Sequence, residues 1–323
     1  MSDIDKIVKD LNKKLDKDIV FSGQNRGKVD VIPSGMLPLD AAIGVGGLPK
    51  GKIIEIHGVF STGKTALCLA IISHFQKLGL PCAYIDAEYS FNHKFSETLG
   101  VDTQKLVIVT PETAEDAFTA MELLIKEHKV SLIVVDSVSA LVPMIDASAE
   151  QGRYQIGAQA KIMSKGLMKL VGPMDKAGTI VIFINQLRQN ILAGGYSPYI
   201  LPGGLSLRFY SSIMLELSRA SSLKSGDKLV GQDIHISVKK NKVATPGEEC
   251  VVKLLYGQGF SAEADLLAMA LRLGKLTKAG NTVYWGAIKI GVGENKARKF
   301  LEDNPIIAEE IKAALNNNED NVV

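Results

Sequence analysis

The sequence predicts an α/β fold whose core is a mainly parallel sheet with helices on both faces. Five short apolar runs, IIEIHG, CAYIDAE, LVIVT, SLIVVDS and TIVIFIN, follow one another between residues 53 and 185, separated by stretches long enough for helices. Parallel strands buried on both faces give such continuous apolar runs, and helices connect them. The composition agrees, because 46% hydrophobic and 22% charged residues with a net charge of +2 exclude a mainly disordered chain.

The first 28 residues are predicted to form one helix and one strand that serve in oligomerisation. Apolar residues recur at helical spacing from Ile4 to Leu15, and a β-prone triplet follows at 19–21. The sequence names no partner for the apolar stripe. Two explanations stay open: it docks on another subunit, or it packs on the chain's own core.

The rest of the chain is predicted to form a core at 29–260 and a small C-terminal α/β domain with a short tail at 261–323. After Ser212, the runs IMLELS, DIHISVKK and ECVVKLLY are spaced like antiparallel strands. Beyond Phe260 the pattern becomes helical again, with ADLLAMALRLG and NKARKFLEDNPIIAEEIKAALN.

Several classes of protein are excluded or disfavoured. No apolar run approaches the ~20 residues of a membrane helix, and the N-terminus lacks the apolar centre of a signal peptide, so we expect a cytoplasmic protein. The cysteines Cys68, Cys82 and Cys250 are odd in number and far apart, which gives neither a disulfide framework nor a paired-cysteine zinc site.

A phosphate-binding loop is the strongest motif in the sequence. Residues 58–65 read GVFSTGKT, directly after a predicted strand and before a helix-compatible run, which is the context that the GxxxxGK[ST] motif requires. Backbone N–H groups of such a loop face the phosphates, the lysine neutralises charge and the threonine can bind Mg²⁺. The predicted nucleotide-binding residues here are Gly58, Val59, Phe60, Ser61, Thr62, Gly63, Lys64, Thr65 and the following Ala66.

Carboxylates and an amide at strand ends complete the predicted site. Asp136 ends the apolar run LIVVD and is expected to order Mg²⁺ together with Thr65. Glu88 follows another strand at the ligand-binding edge of the sheet, where it can activate the attacking water, although a solvated strand-end glutamate is the alternative. Gln186 directly follows TIVIFIN and can contact the γ-phosphate before a long segment that runs to Leu205.

The sequence carries an ordered set of motifs: PSGMLPLDAAIGVGGLPKG, GVFSTGKT, YIDAE, LIVVDSVSAL, IFINQLR, GGLSLRFYSS and VKKNKVATP. Through this set, the sequence resembles the RecA family of bacterial and phage homologous recombinases over about residues 4–316. The resemblance implies a RecA-type ATPase fold and a DNA-dependent ATPase that uses ATP and Mg²⁺. It further implies helical filaments on single-stranded DNA that pair it with homologous double-stranded DNA in recombination, repair and the response to DNA damage. Single-strand-binding and mediator proteins are the implied protein partners.

The resemblance also implies roles for individual residues. Glu88 is the general base, Gln186 the γ-phosphate sensor, and Phe95 and Tyr256 contact the nucleoside; Lys240 and Lys242 reach the ATP of a neighbouring subunit. The DNA loops are expected at about 150–157 and 188–204. The implied DNA-side residues are Ile156, Lys161, Ser164, Arg188, Ile191, Gly203, Gly204 and Arg208. Met168, Asn190 and Leu205 depart from the family pattern on this side.

Two other functions compete with this interpretation. A helicase or branch-migration ATPase would share the phosphate-binding loop and the strand that ends in Asp136, but such proteins usually add a zinc or protease-like domain, which the sequence does not show. A mediator that binds nucleotide without turnover is disfavoured, because Lys64, Thr65 and Glu88 are all present.

Overall fold

The computed structural model describes residues 2–17, 19–23, 29–147, 157–189, 199–200 and 202–316. The chain consists of two compact units, residues 1–30 and residues 31–323. Within the described residues, the helices are α1 (Asp3–Leu15), α2 (Leu37–Ile43), α3 (Lys64–Lys77), α4 (His93–Thr98), α5 (Ala114–Lys126), α6 (Met144–Ala147), α7 (Ala158–Ala177), α8 (Gly204–Tyr210), α9 (Ala262–Arg272), α10 (Glu294–Asp303) and α11 (Pro305–Asn316).

The strands within the same residues are β1 (Val31–Ile32), β2 (Leu48–Pro49), β3 (Ile53–Gly58), β4 (Cys82–Asp86), β5 (Leu106–Val109), β6 (Leu132–Asp136), β7 (Ile180–Gln186), β8 (Arg188–Gln189), β9 (Tyr199–Ile200), β10 (Ile213–Ser225), β11 (Lys228–Asn241), β12 (Glu249–Leu255), β13 (Gly259–Phe260), β14 (Thr277–Ala279), β15 (Thr282–Trp285) and β16 (Ile288–Val292).

The N-terminal unit confirms the predicted helix but not the predicted strand. Helix α1 begins with a capping box in which Ser2 and Asp5 bind each other's backbone N–H groups. The segment at 19–21 forms no strand in the described part of this unit. Its backbone is held instead by Asn12, whose amide donates to Val20 O at 2.9 Å and accepts from Val20 N at 2.8 Å. A strand needs a neighbouring strand for its hydrogen bonds, and the side chain of Asn12 takes that place here.

The central sheet confirms the predicted mainly parallel arrangement. In the described residues its strand order is β13-β12-β11-β10-β3-β7-β6-β4-β5. The pairs from β10 through β3, β7, β6 and β4 to β5 are all parallel. The runs after Ser212 form antiparallel β10, β11 and β12, as predicted, and β10 also pairs in parallel with β3. The antiparallel strands therefore extend the parallel sheet rather than forming a sheet of their own.

Helices cover both faces of this sheet. Ile54 belongs to an apolar cluster that includes Leu67 and Phe75 of α3, whereas its neighbour Ile53 belongs to a second cluster that includes Phe118 of α5 and residues of α7. Successive residues of a strand point to opposite faces, so one buried strand supplies both layers of the core. The carboxyl ends of β3, β4, β6 and β7 then lie at one edge, where the candidate site is found.

The C-terminal elements have an apolar core of their own. Helices α9, α10 and α11 and the antiparallel strands β14, β15 and β16 enclose a cluster that includes Leu267, Val283, Leu301 and Ile311. This arrangement is compatible with the small domain that the sequence predicts at 261–323, a boundary that stays a prediction. In the residues that the structure describes, no helix is both long and apolar enough to cross a membrane.

Candidate nucleotide and DNA site

The phosphate-binding loop joins the end of β3 to the start of α3. Its lysine is folded back on the loop: Lys64 Nζ donates to Gly58 O at 3.1 Å and to Val59 O at 2.8 Å, and the residue is only 8% exposed. A Cβ on Gly58 would lie 2.3 Å from Leu217 O, so the loop passes too close to β10 for any side chain at that position. The loop thus presents backbone N–H groups and a buried ammonium group at a helix N-terminus, which is a site for phosphate.

Thr65 and Asp136 meet beside this loop, as the sequence predicts. Thr65 Oγ1 donates to Asp136 Oδ2 at 2.7 Å, although 71 positions separate the two residues. Burial raises the pKa of Asp136, while the hydrogen bonds from Thr65 and Tyr84 act in the opposite direction. Burial also lowers the pKa of Lys64, and the negative charges of Asp136 and Glu88 oppose that shift. The hydroxyl and carboxylate oxygens are donors of the kind that Mg²⁺ prefers, so these residues fit that ion.

Glu88 and Gln186 are in direct contact at the same edge of the sheet. Gln186 Nε2 donates to Glu88 Oε1 at 2.8 Å, and Ser137 Oγ donates to the same oxygen. Ser137 Oγ in turn lies 2.7 Å from Ser139 Oγ. The backbone N–H groups of Ala87 and Glu88 both donate to Asp136 O, which fixes the turn after β4 against the end of β6. The predicted base and the predicted sensor therefore share one hydrogen-bonded cluster.

Comparison with known proteins places this site in a family. The family model described as "RecA N-terminal domain" matches residues 2–261. Protein RecA of Bifidobacterium longum is 42% identical over 289 residues, covering 90% of this chain and 73% of that protein. Protein RecA of Campylobacter lari is 40% identical over 317 residues, covering 97% and 92%, and that of Xanthomonas campestris is 41% identical over 289 residues, covering 89% and 84%. The chain belongs to the RecA family.

Membership of the RecA family confirms the predicted fold and the predicted class of function, a recombinase of DNA recombination and repair. ATPase activity in general, use of a nucleotide, DNA binding and filament formation come with the family. Nothing in these comparisons favours the helicase or branch-migration alternative.

The RecA-type site opens into a cavity of about 470 Å³. Its lining includes most of the residues that the sequence predicts for the nucleotide, from Phe60 to Ala66 with Glu88, Asp136 and Gln186. Phe95 and Tyr256, the predicted nucleoside contacts, line the same cavity and are each about half exposed. Gly58 and Val59 do not line it; their carbonyl groups hold Lys64 instead.

The sequence reasoning missed several residues of this site. Tyr84 Oη donates to Asp136 Oδ2 at 2.8 Å, and Ser137 and Ser139 support Glu88. Gln232 and Arg219, from the antiparallel strands, also line the cavity. A tyrosine inside the buried run CAYID was a usable signal, because a buried phenol needs a hydrogen-bond partner.

Asn185 links the site to the end of the second predicted DNA loop. Its side chain donates to Glu55 Oε1 and to Pro202 O, each at 3.0 Å, and accepts from the backbone N–H of Gln186 at 3.0 Å. Burial raises the pKa of Glu55, against the hydrogen bond from Asn185. One buried amide therefore connects the end of β7 at Gln186 to the residue that precedes Gly203.

Lys240 and Lys242 lie away from the cavity within this chain. Both ammonium groups bind backbone carbonyls at the C-terminal end of α8: Lys240 Nζ donates to Arg208 O, and Lys242 Nζ donates to Phe209 O at 2.8 Å. Cations are favoured at a helix C-terminus, where carbonyl groups point outward. Burial lowers the pKa of Lys240, and the positive charge of Lys242 lowers it further. A role of these lysines at a nucleotide stays a prediction.

The predicted DNA-side residues are described only in part. Lys161 and Ser164 are exposed on α7, and Arg208 is exposed on α8. Gly203 and Gly204 have positive φ angles of 88° and 73°, and a Cβ on either would lie within 3 Å of a side-chain carbon of Val138 or Ala160. The strand pair β8–β9 includes Arg188, whose side chain is not described, while Ile156 and Ile191 lie outside the described residues. Met168 and Leu205 are exposed apolar residues on this side.

Proposed function

We propose that this RecA-family chain hydrolyses ATP with Mg²⁺ in the cavity beside residues 58–65 and couples that reaction to pairing of single-stranded DNA with a homologous duplex. The observation that carries the proposal is the contact between Glu88 and Gln186, 2.8 Å apart, next to the Thr65–Asp136 pair. A base, a phosphate sensor and a metal-binding pair at one edge are what ATP hydrolysis by this class of site requires.

The phosphates are bound by the loop and by Lys64. Its ammonium group needs only to leave Gly58 O and Val59 O to reach a phosphate oxygen, so the loop carbonyls act as a temporary partner for the charge. Thr65 and Asp136 would hold Mg²⁺ through their side-chain oxygen atoms. When bound there, the ion would supply positive charge that offsets the negative charge developing on the phosphates during hydrolysis.

Glu88 accepts the proton of the attacking water. Oε1 of its carboxylate is held by Ser137 and Gln186, which sets the direction of the carboxylate toward the cavity. We infer that Gln186 turns its amide from Glu88 to the γ-phosphate once ATP binds. That movement releases one acceptor position on Glu88 for the water and at the same time changes the start of the second DNA loop.

The change at Gln186 is passed to DNA through its neighbour. Asn185 accepts from Gln186 N and donates to Pro202 O, so both ends of the segment 187–202 are tied to β7. ATP then favours one arrangement of this segment and ADP another, and by linkage DNA raises ATP affinity by the factor that ATP raises DNA affinity. The residues Ile156, Lys161, Ser164, Arg188, Ile191, Gly203, Gly204 and Arg208 are the proposed DNA-side set.

Assembly into a helical filament is proposed to complete the site. Lys240 and Lys242 lie at the C-terminal end of α8 with their charges on backbone carbonyls, and a neighbouring subunit's triphosphate is a stronger partner for both. The apolar stripe of α1, which includes Ile4, Ile7 and Leu15, is proposed to dock on another subunit. We also propose that the protein works in the cytoplasm, together with single-strand-binding and mediator proteins.

The variant Glu88→Gln tests the proposal, because it keeps the shape of the side chain and removes only its ability to accept a proton. We expect ATP hydrolysis to fall by roughly 10²–10⁴ while ATP binding persists. Electron microscopy with single-stranded DNA and ATP should still show extended helical filaments. Glu112→Gln, an exposed glutamate away from the cavity, is the matched control and should hydrolyse ATP like the parent. Hydrolysis by Glu88→Gln at the parent rate, or closed rings in place of filaments, would contradict the proposal.

A further inference from the structure

Tyr84 is a fully buried side chain that ends at the nucleotide site. It is 1% exposed, lies in the middle of β4, and its hydroxyl donates to Asp136 Oδ2 at 2.8 Å. In the parallel pair of β4 and β6, Tyr84 is opposite Val134, and Asp136 lies two residues further toward the site. Two residues of strand span about 6.6 Å, which is a distance that a tyrosine side chain covers.

Two hydrogen bonds from different elements converge on one oxygen of Asp136. Thr65 Oγ1, from the first turn of α3, donates to Oδ2 at 2.7 Å, and Tyr84 Oη donates to the same atom. Because a carboxylate is planar, donors that approach one oxygen from two elements fix the rotation of the whole group. The second oxygen of Asp136 is thereby oriented as well.

The ring of Tyr84 is itself held in place. Phe91 packs edge-on against it, with ring centroids 5.2 Å apart and an interplanar angle of 61°, and Phe91 N donates to Asp86 Oδ2 at 2.9 Å. His93 packs edge-on against Phe91 in turn, at 5.0 Å. A phenylalanine would fill the volume at position 84 without needing a polar partner, so the hydroxyl is the part of Tyr84 that the apolar core does not account for.

We propose that Tyr84 is a positioning residue of the magnesium–nucleotide site, which holds the Asp136 carboxylate in the orientation that receives Mg²⁺ and its water shell. The inference rests on the proposed function, since it concerns the ion that ATP brings. Residues that hydrogen-bond to the ligands of a metal orient those ligands, and loss of such residues typically costs 10–100-fold in metal affinity or activity. Tyr84 acts through Asp136 and touches neither nucleotide nor metal.

The role of Tyr84 can be tested without ATP turnover. The experiment measures binding of a fluorescent ADP analogue, N-methylanthraniloyl-ADP, while Mg²⁺ is titrated. For Tyr84→Phe we expect the half-saturating Mg²⁺ concentration to rise about tenfold, the low end of the range for residues that hydrogen-bond to metal ligands. Affinity for the analogue in EDTA should equal that of the parent, which also verifies that the variant is folded. Tyr89→Phe is the matched control: its hydroxyl donates to Pro111 O at the same 2.8 Å and has no bond to Asp136, so its Mg²⁺ titration should be unchanged.

A double-mutant cycle separates action through Asp136 from a general effect on the core. In the Asp136→Asn background, Tyr84→Phe should cause no further change in analogue affinity at any Mg²⁺ concentration. Phe91→Leu, which removes the edge-on ring contact but keeps the phenol, should raise the half-saturating Mg²⁺ in the same direction by a smaller factor, and it serves if Tyr84→Phe does not fold.

An unchanged Mg²⁺ titration of folded Tyr84→Phe, or equal shifts with and without the Asp136 carboxylate, would overturn the inference. Failure of the proposed function is a different result, because the parent would then show no Mg²⁺-dependent binding of the analogue.

Discussion

Helices α5 and α7 pack so closely that one added methyl group should measurably destabilise the protein. Gly166 lies in the buried face of α7, against the ring of Phe118 on α5. A Cβ on Gly166 would lie 2.3 Å from Cδ1, 2.4 Å from Cε1 and 2.5 Å from Cγ of that ring. Gly166→Ala therefore places a methyl group against the ring of Phe118, a member of the second apolar cluster.

The size of the effect follows from two opposing contributions. Ordinary van der Waals contact begins at 3.4 Å, so the ring must retreat by about 1 Å within a close-packed interior, where Phe118 is only 7% exposed. Overpacking of this kind costs about 1–3 kcal/mol, and the upper end applies to a confined ring. Alanine gains about 1 kcal/mol over glycine in a helix interior. We expect the free energy of unfolding to fall by about 2 kcal/mol, which corresponds to about 3 °C in Tm for a chain of 323 residues.

Urea unfolding followed by circular dichroism measures this change. Lys169→Ala, on the exposed face of the same helix, is the control and should stay within about 0.5 kcal/mol of the parent. Adding Phe118→Leu to Gly166→Ala should restore part of the loss, because the smaller side chain leaves room for the methyl group. A Gly166→Ala protein as stable as the parent, or a double variant less stable than Gly166→Ala, would refute the packing argument.

Two further predictions concern pH and the subunit interface. Burial raises the pKa of Asp265 from 3.8 to about 8, so between these pH values the folded protein keeps a proton that the unfolded chain releases. The free energy of unfolding should therefore fall between pH 4 and pH 8, by up to about 1.4 kcal/mol per pH unit. Urea midpoints at pH 5, 6.5 and 8 should fall less steeply for Asp265→Asn than for the parent, whereas the exposed control Asp303→Asn should behave like the parent. Parallel pH profiles of Asp265→Asn and the parent would contradict the role of Asp265. Mixing Lys242→Ala protein with Glu88→Gln protein should restore ATPase activity above that of either variant alone, since some interfaces then combine an intact Glu88 with an intact Lys242. No recovery in confirmed mixed filaments would count against an active site shared between subunits.

The sequence by itself determined the features that depend on neighbours in the chain. The loop GVFSTGKT, the run LIVVD and the apolar strands each combine spacing and residue type within a few positions, and these features also carry the family resemblance. The meeting of Thr65 and Asp136 was predictable as well, because parallel strands bring their carboxyl ends to one edge of the sheet.

Only the tertiary structure decided which side chains touch at that edge. The bond between Glu88 and Gln186 spans 98 positions and that between Tyr84 and Asp136 spans 52, and neither follows from strand order alone. They depend on register and on side-chain direction. The same is true of the hydrogen bonds from the backbone of residues 19–20 to Asn12, which form where a strand was predicted. Local propensity reports what a segment can form, whereas a hydrogen bond between distant residues depends on which partners the packed sheet brings within about 3 Å.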